Sequence, residues 1–178
     1  MDTKLKADIA ESAVVTKLLE RGFRVLRPVG DRLSYDLGVD LDGKFIRIQV
    51  KSAWFNKKGS CYTVDVRRTK TNRRHMLRQR YDANDFDFAI IYIADLNVFY
   101  VMPVSAFSRY GSSVTFVESD KRQRKPKSAN YREQWDLLFN GSLRRQRLME
   151  NLSNSVEPST LDQGNTEPSL PMAIGGKV

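Results

Sequence analysis

Leu37-Gly38-Val39-Asp40-Leu41-Asp42-Gly43-Lys44-Phe45-Ile46-Arg47-Ile48-Gln49-Val50-Lys51 reads as two alternating strands around an Asp42-Gly43 turn. Aspartate and glycine accept the positive φ angles of a two-residue hairpin turn, so the turn sets the register. Leu41 is expected opposite Lys44, Asp40 opposite Phe45, Val39 opposite Ile46, Leu37 opposite Ile48, and the preceding Asp36 opposite Gln49. Strand side chains alternate, which places Asp36, Gln49 and Lys51 on one face and Leu37, Val39, Leu41, Ile46, Ile48 and Val50 on the other.

Outward from the hairpin, Asp2 or Thr3 caps a helix through Leu5, Ile9, Ala13, Val14 and Leu18 that stops near Gly22, and a strand from Phe23 to Arg27 follows. Cys61 to Val66 reads as a further strand of the same meander. Arg67 to Arg80 is basic and weakly patterned, and is expected as a loop. Phe86 to Ala94 is a nearly continuous apolar run, expected of a strand buried on both faces, with Val98 to Met102 pairing to it across Asp95-Leu96-Asn97. Pro103 ends that strand; a short helix over 104–110 and a last strand over 114–117 complete the core. Ser128 is expected to cap a helix carrying Tyr131, Trp135, Leu138 and Phe139, which 144–148 extends. The chain thus divides into a core over 1–118, a basic linker and C-terminal helix over 119–150, and a polar tail over 151–178 whose composition is that of disorder.

The chain has 178 residues, a length that suits one ordinary domain, and its formal charge of +9 favours a polyanionic partner. Nucleic acid fits that charge, as does RNA within a ribosomal role or a membrane surface. One cysteine, Cys61, and one histidine, His75, exclude an internal disulfide and a Cys- or His-rich metal centre. His75 reads as an ordinary polar residue of a basic loop. No leader pattern and no apolar run of membrane-spanning length is present, so the expectation is a soluble, cytoplasmic protein.

The polar face of the hairpin carries the chemistry. A carboxylate and an amide carbonyl opposed across two strands offer hard oxygen ligands to Mg²⁺. Glu11 sits among Val14, Val15 and Leu18 at i+3, i+4 and i+7, an apolar setting in which an acid needs a partner, and a metal shared with Asp36 supplies one. Lys51 beside such a metal orients or deprotonates a water, or offsets charge growing on a phosphate. That is the equipment of phosphodiester hydrolysis. The plainer reading stands beside it: Asp-Gly hairpins are common, Glu11 lies at the edge of a partly exposed helix, Asp40 and Arg47 face solvent, and Lys51 is a charge partner for Asp36. Trp54, Trp135 and the 86–92 run read as core or interface rather than base-stacking platforms.

An acid in the first helix, Asp36 opening one strand and Gln49-Val50-Lys51 ending the next resemble the PD-(D/E)xK nuclease superfamily. More narrowly, Gly30-Asp31-Arg32-Leu33-Ser34-Tyr35-Asp36-Leu37, Arg47-Ile48-Gln49-Val50-Lys51, Tyr81 with Asp85-Phe86-Asp87-Phe88, and Tyr100-Val101-Met102-Pro103 resemble its group I intron-associated homing endonucleases. The resemblance implies an α/β restriction-endonuclease-like core, a central mixed sheet flanked by helices. It also implies a metal-dependent DNA endonuclease in which Glu11, Asp36, Gln49 and the main-chain carbonyl of Val50 surround Mg²⁺, and Lys51 is the catalytic lysine. Two departures stand out: Tyr35 precedes Asp36 where the motif has proline, and Gln49 replaces the usual acid, removing a negative charge from the metal site.

Lys57, Lys58, Arg67, Arg68, Lys70, Arg73 and Arg74 are expected to track double-stranded DNA beside the active face, against the alternative of a solvated charge run. The basic stretches 121–127 and 144–147 add general attraction. Cutting two strands calls for a homo-oligomer, at least a dimer, with 104–107 and 131–139 as its interface. The competing functions are a Holliday-junction resolvase, a restriction-type nuclease, and a non-catalytic DNA-binding protein with a degenerate nuclease fold.

Overall fold

The computed structural model describes residues 2–30, 32–71, 76–119 and 126–139. Thr3–Glu20 form a helix, α1, opened by Asp2, whose carboxylate accepts the Lys4 N–H. Its end follows from Gly22 at φ +79°: the Gly22 N–H reaches the Leu19 carbonyl and the Phe23 N–H the Leu18 carbonyl, the double closure that a left-handed glycine permits. The buried stripe of α1 is Ala10, Val14 and Leu18, whereas Leu5 and Ile9 lie off that stripe and are exposed.

Strands β1 (Arg24–Leu26), β2 (Leu37–Leu41) and β3 (Lys44–Ser52) follow. The β2–β3 register is the expected one, Leu37 to Ile48 through Leu41 to Lys44, with Asp42 at φ 51° and Gly43 at φ 82° in the turn. Next come β4 (Trp54–Asn56), β5 (Cys61–Asp65), β6 (Arg67–Thr71), β7 (Met76–Arg80), β8 (Phe88–Ile93), β9 (Val98–Pro103), the short helix α2 (Val104–Phe107) and β10 (Ser113–Phe116). A five-stranded sheet is ordered β1-β2-β3-β8-β9 and is mixed, β3 running parallel to β8 and all other neighbours antiparallel.

The single meander does not form. β4 and β5 leave the main sheet and join β10 in a three-stranded sheet. The physical reason is the parallel β3–β8 pairing: it takes the edge of β3 that a returning β4 would need, and it requires a crossover, which 53–87 provides. Within the basic stretch expected as a loop, β6 and β7 pair as antiparallel strands, Arg67 with Arg80 through Thr71 with Met76.

Two cores lie on opposite faces of the main sheet. Leu37, Val39, Ile46, Ile48, Val50, Phe88 and Ile90 pack beneath α1. Ala89, Ile91, Tyr100 and Met102 face the second sheet and α2 through Val64, Val66, Phe107, Val114 and Phe116. Helices therefore flank the sheet unequally, with one long helix on one face and the small sheet with α2 on the other. All six residues of β8 are buried, as the unbroken apolar run predicts.

The segment after 126 begins as a 3-10 turn, Lys127–Tyr131, in place of the longer helix expected there, and 136–139 form one helical turn. Ser128 is buried and donates its hydroxyl to the Thr115 carbonyl at 2.7 Å, so it anchors the segment instead of capping it. Phe107, Trp135 and Leu138 are fully buried within the chain, while Phe139 of the same segments is 43% exposed. The 144–148 extension and the tail lie outside the described residues.

Arg47 and Asp87, side chains each 18% exposed, join β3 to the start of β8. The guanidinium donates to Asp87 Oδ2 at 3.2 Å and Oδ1 at 3.1 Å and to the Ala83 and Asn84 carbonyls, and the Arg47 N–H adds a bond to Oδ2 at 2.9 Å. Arg47 is thus a clamp and not a solvent-facing residue. Arg47→Met leaves a largely buried carboxylate without its guanidinium and should cost about 3 kcal/mol, measured as the change in unfolding free energy in urea.

Candidate active site

The site begins where β2 stops. The ladder ends at Leu37 with Ile48, and Asp36 N donates to the Ile48 carbonyl at 2.9 Å rather than continuing regular pairing with Gln49. The next inward-facing donor of β3, the Val50 N–H, is met instead by the Asp36 side chain, Oδ2 accepting it at 2.7 Å. Gln49 Nε2 donates to the same oxygen, and lies 3.3 Å from the Val50 carbonyl. A residue's N–H and C=O share one edge of a strand, so the Val50 carbonyl also turns toward this opening.

These groups line a cleft of about 490 Å³, with Gln49, Val50 and Lys51 along β3, Glu11 and Lys6 on α1, and Trp54 at the start of β4. The structure thus brings together all of Glu11, Asp36, Gln49, Val50 and Lys51. Lys6 and Trp54 were missed. Lys6 was legible by following the Glu11 face of the helix back toward its start, through Ala10 and Ala7; Trp54, expected as core or interface, is 43% exposed.

Burial pushes the Asp36 carboxyl above its ordinary value, opposed by the Val50 N–H and by the charges of Lys51 and Arg68. Glu11 is also raised, first by burial and then by the negative charge of Asp36. Two carboxylates held together against their preference, with a neutral amide and a main-chain carbonyl beside them, form a hard-oxygen donor set that a divalent cation would satisfy. Among the described residues no group of three or more His, Cys, Asp or Glu could hold a metal. The acids here number two, and neutral oxygens must complete the set.

Lys51 Nζ donates to the Tyr81 hydroxyl at 2.9 Å and lies 5.1 Å from the centre of that ring. Its partner is thus a tyrosine thirty residues on. Of the basic residues, Arg68, second in β6, is close enough for its charge to act on Asp36. Arg67 is half-buried, and its Nε is buried without a hydrogen-bond partner. Lys57 and Lys58 are exposed at the β4–β5 turn, Lys70 lies on β6, and Arg73, Arg74 and His75 fall outside the described residues.

A sheet that opens around an acid, an amide and a lysine, with a helical glutamate across the gap, is the arrangement of a nuclease core. A family model described as PD-(D/E)XK endonuclease matches residues 1–138, and the chain belongs to that family. Among solved structures it is similar to a bacterial homing endonuclease, I-Ssp6803I, at 47% sequence identity, covering 88% of this chain and 100% of that one, with a TM-score of 0.73. No curated protein matches it. No helix among the described residues is long and apolar enough to cross a membrane.

Because the folded protein raises the Asp36 pKa above 3.8, this group favours folding below 3.8 and loses that contribution as pH rises through its folded value. In chelator-treated protein, Asp36→Asn keeps an acceptor for the Val50 N–H and should raise the urea midpoint at pH 7. Repeating the titration below pH 3.8 should erase the difference.

Proposed function

We propose that this chain is a Mg²⁺-dependent, site-specific double-strand DNA endonuclease of the intron-homing type. The observation that carries the reading is the convergence of Glu11, Asp36, Gln49 and Lys51 on one cleft of a PD-(D/E)XK endonuclease. Likeness to a bacterial homing endonuclease at 47% identity over the whole of that chain supports the homing role.

The carboxylates of Glu11 and Asp36, the Gln49 side-chain carbonyl and the Val50 main-chain carbonyl would hold the ion. When bound, such an ion lowers the pKa of a coordinated water and offsets phosphate charge. Lys51 is the catalytic lysine: its ammonium orients the attacking water and stabilises charge developing on the phosphate. Gln49 suits a site with few acids, because its amide nitrogen donates to Asp36 while its oxygen stays available, whereas a carboxylate there would repel Asp36.

Lys6 lines the cleft and the charge of Arg68 acts on Asp36, which supplies positive charge to a phosphate backbone entering there. Lys57, Lys58, Arg67, Lys70, Arg73 and Arg74 are assigned to backbone contacts that position the duplex without reading its sequence. Cutting both strands calls for at least two copies, so the active form is a homo-oligomer.

The test is cleavage of an intronless target sequence beside the same sequence interrupted by the intron. With Mg²⁺ the protein should cut the first and spare the second, and a chelator should stop it. Lys51→Ala should lower kcat by roughly 100-fold or more while DNA affinity, measured in Ca²⁺, stays close to that of the parent. Preference for branched DNA over any linear target, or full activity of Lys51→Ala, would overturn the reading.

A further inference from the structure

Lys51 does not stand alone at the cleft. Its ammonium carries three donors, and one is committed to the hydroxyl of Tyr81 at 2.9 Å. The same ammonium lies 5.1 Å from the Tyr81 ring centre, a distance that places it beyond the hydroxyl end of the ring and not over its face. Tyr81 is 5% exposed, so water competes weakly for the hydrogen bond. Its ring is itself held, edge-on to Phe86 at 5.0 Å and tilted to Phe107 at 6.4 Å, and both of those rings are fully buried. The hydroxyl is thereby fixed in space by the core on the far side of the sheet from α1.

We infer that Tyr81 is a positioning residue for Lys51, holding the amine at the cleft through its hydroxyl. The inference rests on the assignment of Lys51 as the catalytic lysine. A lysine has four rotatable side-chain bonds, and an untethered amine would spend much of its time in solvent. With one donor on Tyr81, the head group is confined and two donors remain for water and phosphate. Tyr81 also follows directly on β7 (Met76–Arg80), so the β6–β7 pair and the catalytic amine share one anchor.

Tyr81→Phe removes the hydroxyl and keeps the ring and its packing against Phe86 and Phe107. Loss of the tether should lower kcat roughly 10- to 100-fold, with KM and the DNA affinity measured in Ca²⁺ unchanged and the same melting temperature. In a Lys51→Ala background, adding Tyr81→Phe should change the residual rate little, since the amine it positions is gone. A wild-type kcat for Tyr81→Phe overturns the inference, as does a fall in rate matched by a fall in melting temperature. If Lys51→Ala is inactive and Tyr81→Phe is fully active, the positioning role alone fails; if Lys51→Ala cleaves normally, the catalytic reading fails with it.

Discussion

The Asp36 carboxylate on the Val50 N–H is the bond around which the site is organised. β2 is shorter than β3 at this end, so β3 runs on past its partner with backbone groups that need an acceptor. A side chain supplies it, and the space a further pair of backbone residues would fill becomes the cleft. The same oxygen takes the Gln49 amide. One carboxylate therefore terminates the ladder, orders the amide and faces Glu11, and its raised pKa records the cost of holding that charge half-buried. Functional sites commonly carry destabilising groups of this kind.

That opening has meaning because of what β3 does along its other edge. Parallel pairing with β8 sends Ile48 and Val50 into the core beneath α1, and Gln49 and Lys51 toward the opposite face, beside Ala89 and Ile91. Arg47 pins this pairing through Asp87 and the loop carbonyls before it. The pleat thus distributes consecutive residues of a short strand between two cores, and the strand end lies where the two faces meet. Glu11 from one side and Lys51 from the other reach one cleft because of this.

Charge in the site is balanced by neutral groups more than by acids. Gln49 gives Asp36 a hydrogen bond where an acid would give it repulsion, and Lys51 donates to a phenol while its charge also acts on Asp36. Tyr100 shows the same economy of charge elsewhere: its hydroxyl meets Glu118, which pairs with Arg132 at 3.1 Å, fastening the 126–139 segment to β9. Burial and the Glu118 carboxylate together push that phenol well above 10.0.

The hairpin register, the helix cap at Asp2, the stop at Gly22 and the buried β8 were all legible in the chain, because each depends on φ preferences or side-chain alternation within a few residues. So was the grouping of Asp36, Gln49 and Lys51, which the turn imposes. Glu11 was legible as an acid in an apolar setting. The split of the strands into two sheets, the β6–β7 pairing and the roles of Trp54, Arg47 and Tyr81 were not. The β6–β7 pairs are close in sequence but lie in a basic stretch without apolar alternation, whereas Lys51 with Tyr81 and Arg47 with Asp87 are contacts between residues 30 or more apart, whose partners no local pattern names. Short-range geometry assembled the acid, the amide and the lysine; long-range packing decided what opens in front of them and what holds the lysine in place.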